Sequence, residues 1–128
     1  MKKLFLLLFL FFSFSILAQQ TEKITSKKCI SKKGYHLKLK SVFDDSRCPE
    51  GVNCVWAGEV SVKIEVFKDK KLIEEKTMLF NSKNKQENVK WFENYLSNTI
   101  EPISVFPHPK EGIVVQSMKQ FILITYSN

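Results

Sequence analysis

The sequence predicts an all-β fold, a single antiparallel sandwich or open barrel of about seven strands with one short helix. Apolar and polar residues alternate with period two in several segments, most clearly between Val60 and Phe67, and this alternation is typical of half-buried strands. Turn-forming residues separate these segments at short intervals. Two cysteines, Cys48 and Cys54, stand where a bridge would staple a domain too small to bury a large core.

The chain begins with the pattern of a secretory signal peptide. Met1-Lys2-Lys3 is positively charged, Leu4 to Leu17 is an almost unbroken apolar run, and Ala18 is a small residue before a polar stretch. The run is shorter than the roughly 20 residues that cross a bilayer as a helix. We therefore expect residues 1–18 to be cleaved, and the mature chain to be a bacterial periplasmic or secreted protein without a stable transmembrane span.

The mature chain is basic. Removing residues 1–18 takes two of the 20 Lys and Arg residues and none of the 13 Asp and Glu residues, which leaves a net charge of +5. Because the lysines are scattered rather than gathered in one stripe, a solvated basic surface is favoured over an anionic partner. Nucleic acid is not an expected partner.

The first segments after the signal peptide are a leader and a strand. Residues 19–33 are polar and lysine-rich and are interpreted as a poorly ordered leader, with a single β domain over residues 34–128. Alternation over residues 35–40 predicts a strand that ends at the acidic turn of residues 44–46.

The middle of the chain predicts a hairpin. Residues 55–67 are predicted as the clearest strand and place four β-branched side chains on one face, residues 68–70 make a tight polar connection, and residues 72–80 return. The polar residues 81–88 predict a loop. The four side chains on that face are Val60, Val62, Ile64 and Val66.

The last third of the chain is less regular. Residues 89–96 fit either a helix or a strand, and a short helix or turn is favoured. Residues 100–106 look extended, and Pro102 predicts an edge or bulged strand. Residues 113–115 predict another strand, and residues 121–126, apolar on both faces, predict a central one.

Cys48 and Cys54 are the most informative pair. In an exported chain, two cysteines with five residues between them favour a disulfide over free thiols. Pro49 and Gly51 favour a tight turn between them, and closing so small a ring contributes roughly 2.4 kcal/mol on the chain-entropy model. Cys29 is left over as a free thiol, a link to another chain or a competitor for either partner, and the sequence does not choose among these.

The cysteine segment resembles a motif of small secreted or lipid-anchored bacterial β domains of uncharacterised function. The resemblance is carried by Asp45-Ser46-Arg47-Cys48-Pro49 and Cys54-Val55-Trp56-Ala57-Gly58. Those domains tend to carry a late Val-x-Pro-aromatic-Pro stretch, which residues 105–109 resemble with His108 in place of the aromatic residue. The resemblance implies no activity.

Arg47 and Asp45 flank the first cysteine and are candidate ligand contacts. A guanidinium pairs with carboxylates in a bidentate fashion, so Arg47 can pair with Asp45 or Glu59, or present its charge to an anionic ligand. The structural role is favoured.

Aromatic side chains supply the remaining candidate ligand contacts. Trp56 lies two residues after the second cysteine and is expected on the same strand face, against the sulfurs, while Ala57 and Gly58 leave room for a close backbone approach or a bulge. Trp91, Phe106 and His108 lie in segments interpreted as exposed loops, where partner contacts concentrate.

No catalytic, metal or cofactor site is predicted. The five-residue interval between the cysteines differs from the two-residue interval of thiol-redox motifs. His36, His108 and the acidic turn of residues 44–46 match no zinc or calcium spacing, although a cation at that turn stays open. No serine lies in a nucleophile-elbow context.

The leading function hypothesis is an exported, non-enzymatic binding module of the cell envelope or secretome, whose partner is a protein or a glycan. One alternative is a periplasmic metal-handling protein that uses His36, His108, Met78 or Cys29. The other is an inhibitor of an exported hydrolase.

Overall fold

The computed structural model describes residues 19–96, 99–101, 103–116 and 119–127, and these residues form two antiparallel sheets and one helix. The predicted all-β sandwich is confirmed, while the predicted signal peptide, residues 1–18, lies outside the described residues. The elements are β1 (Thr21–Ile24), β2 (Ile30–Lys32), β3 (Tyr35–Phe43), β4 (Val60–Lys68), β5 (Lys71–Phe80), α1 (Lys85–Tyr95), β6 (Ser104–Phe106) and β7 (Phe121–Thr125).

The larger sheet has the strand order β2-β3-β4-β5, and its centre is the predicted hairpin of β4 and β5. Asp69 and Lys70 connect these strands with φ angles of 51° and 64°. Positive φ at both central residues is the geometry of a type I′ turn, whose twist matches that of the paired strands. The predicted hairpin is therefore confirmed, although its first strand begins at Val60 and not at Val55 as expected.

The core lies between the two sheets and α1. The smaller sheet, in the order β1-β7-β6, covers part of the inner face of the larger one, and α1 covers another part. All four apolar residues on the predicted face of β4 are buried. The other buried contributors include Ile24, Leu37, Leu39, Met78, Phe92, Leu96, Val105, Ile122 and Ile124.

The interpretation of residues 19–33 as a poorly ordered leader differs from the structure. β1 pairs with the central strand β7, where Ile24 lies opposite Ile122, and β2 pairs with β3. Ile24 and Ile30 are buried. Each of these strands brings a single core residue, and one residue shows no period in the sequence.

Two further expectations are corrected. The segment 81–88 is not a loop throughout, because α1 begins at Lys85 and includes the short helix expected nearby. Residues 113–115 form no strand: Gly112 turns the chain with a φ of 73°, and Val114 is 92% exposed. β6 pairs only with β7 at the edge of its sheet, as expected, although Pro102 lies outside the described residues. Within the described part of the chain, no helix is long and apolar enough to cross a membrane.

Candidate ligand cleft at the disulfide loop

Residues 44–59 connect β3 to β4, and we call them the disulfide loop. The predicted bridge between Cys48 and Cys54 is present, with 5.9 Å between the two Cα atoms. The base of the loop extends the pairing of the two strands, because Ser46 N donates to Glu59 O at 2.8 Å and Cys48 N donates to Ala57 O at 2.9 Å. The loop therefore begins and ends as a narrow ribbon.

Gly58 allows the two sides of that ribbon to approach each other. Its φ is 74°, and a Cβ atom at this position would lie 2.0 Å from the Ser46 carbonyl oxygen and 2.9 Å from Arg47 Cα. Real Cβ atoms do not approach backbone so closely, so only glycine fits without moving the chain. The close backbone approach expected here is confirmed.

Arg47 fastens the disulfide loop to the segment after β6. Its guanidinium holds Asp45 in a bidentate pair, with Nε to Oδ1 at 2.8 Å and Nη2 to Oδ2 at 2.7 Å. Nη1 also donates to Val105 O at 2.5 Å, and Nη2 to Pro107 O at 3.1 Å. Burial raises the pKa of Asp45, but the hydrogen bonds and charge of Arg47 outweigh burial and hold that pKa below its usual value. Of the two roles considered for Arg47, the structure shows the ion pair with Asp45.

Two further hydrogen bonds join the loop to the same segment. His108 Nε2 donates to the Cys48 carbonyl oxygen at 2.7 Å, and Glu50 N donates to Pro109 O at 2.8 Å. The cysteine segment and the late proline segment, far apart in the sequence, thus form one unit at one end of the molecule. His108 is part of that unit rather than a free loop residue.

A cleft runs along this unit, between the disulfide loop and the turn that leads into α1. It consists of two adjoining depressions, of about 280 Å³ and about 310 Å³. We call them the Lys85 compartment and the Trp56 compartment after a residue that lines each. The residues common to both are Ala57, Gly58, Asn81 and Ser82.

Trp56 stands on the rim of the second compartment, with its side chain 83% exposed. The expectation that it packs against the sulfurs on a strand face is wrong, because β4 begins only at Val60 and Trp56 precedes it. Polar groups beside it are held in place: Asn81 Nδ2 donates to Glu59 Oε2 at 3.2 Å, while Asn81 Oδ1 accepts from the backbone N–H of Lys83 at 2.9 Å. The compartment therefore combines a free indole face with ordered polar side chains.

The Lys85 compartment has a different character. Among the described residues, those that line it include Arg47, Lys85 and His108 and no carboxylate. Asn88, which is buried, also lines it and donates from Nδ2 to Leu79 O at 2.9 Å. An apolar floor lies beneath these groups, formed by Val60, Phe80, Ile103 and Val105.

The other predicted ligand contacts do not line this cleft. Trp91 lies on α1 rather than on a loop, half-buried, and its Nε1 donates to Glu74 Oε1 at 3.1 Å. Tyr95 donates to the same carboxylate, and burial together with that hydrogen bond raises the pKa of Tyr95 to about 12. Phe106 is partly exposed and stacks on Phe121, with 5.6 Å between the ring centroids.

The residues considered for metal binding have separate roles and surroundings in the structure. His36 Nδ1 lies 2.6 Å from Ser31 Oγ, Met78 is buried in the core, and Cys29 is exposed between β1 and β2. No group of three or more His, Cys, Asp or Glu side chains that could hold a metal ion occurs among the described residues. Asp45, at the acidic turn, is engaged by Arg47.

The sequence interpretation missed the second wall of the cleft. The sequence predicts only a polar loop over this wall, and no motif distinguishes its residues Asn81, Ser82, Lys83 and Lys85. Their position opposite the disulfide loop follows from the place where β5 ends and α1 begins.

Fold and site together define a small all-β domain whose disulfide-closed loop shapes a two-part cleft. Comparison with protein-family models, with curated proteins and with solved structures finds no match to this chain.

Proposed function

We propose that the protein is an exported, non-enzymatic binding module that holds a glycan in the cleft at its disulfide loop. The observation that carries this proposal is the position of Trp56, a large and almost fully exposed aromatic side chain on the rim of a polar cleft. An indole offers a broad, rigid apolar surface at a small loss of conformational entropy on binding. The flat C–H face of a pyranose ring is a natural complement to that surface.

The polar groups around Trp56 suit the hydroxyl groups of a sugar. Glu59 offers carboxylate oxygens as acceptors, and Ser82 offers a hydroxyl that both donates and accepts. Asn81 fixes Glu59 by hydrogen bonding, so the acceptor is oriented before a ligand arrives. The two compartments together fall within the roughly 300–1,000 Å³ that small-molecule sites occupy.

The rigidity of the cleft wall also supports a binding role. The disulfide, the close approach at Gly58 and the Arg47 clamp all fix the loop that carries Trp56. A site whose supporting groups are already in place loses less conformational entropy when the ligand binds.

The proposal is tested by calorimetric titration of the purified protein with a panel of neutral and acidic trisaccharides. We expect at least one to bind, and Trp56→Ala to weaken that binding at least tenfold, as truncation of an aromatic anchor does. Trp91→Phe is the matched control, because Trp91 lies outside the cleft and its removal leaves Trp56 as the sole tryptophan and fluorescence reporter.

Two results would contradict the proposal. One is Trp56→Ala protein that binds the same trisaccharide as tightly as the unmodified chain. The other is release of shorter saccharides from the bound ligand, detected by chromatography, which would make the protein an enzyme.

A further inference from the structure

We infer that the ligand is an acidic glycan, and that its carboxylate, sulfate or phosphate group lies in the Lys85 compartment. This inference rests on the proposed function and adds the chemical class of the sugar. It is carried by the basic side chains that line the compartment and by the absence of a carboxylate among its described lining residues.

Two lysines on the outer face of the larger sheet are paired with a carboxylate. Lys40 lies 2.9 Å from a Glu75 carboxylate oxygen, and Lys63 lies 3.5 Å from the other oxygen of the same carboxylate. Within the described residues, by contrast, neither Lys83 nor Lys85 has a carboxylate within 4.0 Å. The ammonium group of Lys85 therefore lies in a compartment with no carboxylate among its described lining residues.

Arg47 adds hydrogen-bonding capacity rather than net charge. Its pair with Asp45 is locally neutral, but only four of the five guanidinium N–H groups donate to partners in the described part of the chain. Asp45 does not line the compartment, whereas Arg47 does. The lining thus presents N–H donors and no carboxylate to an incoming group.

An anion in this compartment and a sugar ring on Trp56 are compatible in one ligand. The two compartments share a wall at Gly58 and Asn81, so adjacent units of one saccharide reach both. The short cleft, with one exposed aromatic side chain, favours a saccharide over single-stranded nucleic acid, which is bound in long basic grooves with several stacking aromatic residues.

The test compares galacturonotriose with galactotriose of the same linkage, by calorimetry on the purified protein at 50 mM and 500 mM NaCl. We expect the acidic trisaccharide to bind more tightly, and only its affinity to fall at high salt, because salt screens charge pairs. Lys85→Gln should weaken the binding of galacturonotriose at least about tenfold, the loss of one charge-assisted hydrogen bond, and leave the affinity for galactotriose within about twofold.

Lys90→Gln is the matched control, since Lys90 is an exposed residue of the same helix that lines neither compartment. Equal affinities for the two trisaccharides, or an equal loss for both in Lys85→Gln, would overturn this inference and leave the proposed function standing. Tighter binding of a ten-residue thymidine oligonucleotide than of galacturonotriose would overturn it in favour of nucleic acid. Failure of every trisaccharide to bind would overturn the proposed function and this inference together.

Discussion

The larger sheet and the disulfide loop are held by different forces. Val62, Ile64 and Val66 of β4 have no exposed surface, and the sheet is stabilised by apolar burial spread over many residues. No residue of the loop 44–59 is fully buried. The loop depends instead on a covalent bridge, the arginine clamp, a close backbone approach at Gly58 and a few hydrogen bonds. The proposed function therefore lies on the part of the molecule that is held by a small number of specific contacts.

A substitution in the core of the larger sheet should cause the largest loss of stability. Ile64→Ala removes a fully buried side chain from the central strand and should lower the free energy of unfolding by about 3 kcal/mol, through lost burial and the cavity left behind. Ile73→Ala on the neighbouring strand is the control: Ile73 is 49% exposed, so its loss should be below about 1 kcal/mol. Urea denaturation measures both, and similar losses would contradict the burial account.

Gly58→Ala should be the most damaging change in the loop. The added Cβ would collide with the Ser46 carbonyl group, so the ribbon must open, and we expect a loss of about 2–3 kcal/mol together with loss of trisaccharide binding. Gly34→Ala is the matched control, because Gly34 also has a positive φ, 81°, but has nothing within 4 Å of the added atom. It should lose only the left-handed backbone term of about 1–2 kcal/mol. Thermal denaturation measures the stability of both variants, and calorimetry measures their trisaccharide binding. If Gly58→Ala and Gly34→Ala had equal effects, the close approach would not shape the cleft.

Removing the bridge tests whether the loop can loosen while the sheet persists. Replacing Cys48 and Cys54 with serine should lower the free energy of unfolding by about 2 kcal/mol, the loop-closure term for so small a ring. Trypsin should then cleave after Arg47 in the loop before it cleaves within β4. Cys29→Ser should change neither property, because Cys29 is an exposed free thiol in the described structure. Simultaneous cleavage of loop and strand would show that the two regions open as one unit.

The sequence predicted well those features that leave a local pattern. The hairpin of residues 60–80 follows from period-two alternation, since one face of each strand is buried. The Cys48 to Cys54 bridge and the approach at Gly58 follow from residue types at short spacing. In each case the physical cause acts within one strand, one hairpin or one short loop, so a local stretch of sequence indicates it.

The features that the sequence concealed depend on distant partners. Ile24 is buried because β1 pairs with β7, which lies near the other end of the chain. A single apolar residue gives no sequence signal of that pairing. The strand position predicted for Trp56 is wrong because the alternation of β4 does not extend to residues before Val60. Lys83 and Lys85 face the loop only because β5 and α1 bring them there. A cleft made by two segments of no regular period is therefore not predictable from one sequence.

The smallest of these effects concerns Asp45, and it depends on pH. Because the pKa of Asp45 is lowered in the folded protein, its ion pair contributes stability above the unfolded value of about 3.9, and this contribution is lost as the pH falls through the folded pKa. Asp45→Asn should therefore lower the free energy of unfolding by about 1 kcal/mol at pH 7, an amount suited to a partly exposed pair. The difference between the two proteins should shrink towards zero in acid.

Asp44→Asn is the control for that pH dependence. Asp44 is the adjacent exposed aspartate, and its φ of 49° is one that asparagine also tolerates, so this variant should follow the unmodified protein at every pH. Urea midpoints measured from pH 7 down to pH 2 would separate the two variants. If Asp45→Asn kept its full deficit in acid, the loss would come from altered hydrogen-bond geometry rather than from charge. Arg47 would then hold the loop through the geometry of its hydrogen bonds, and charge would not be a force that distinguishes the loop from the sheet.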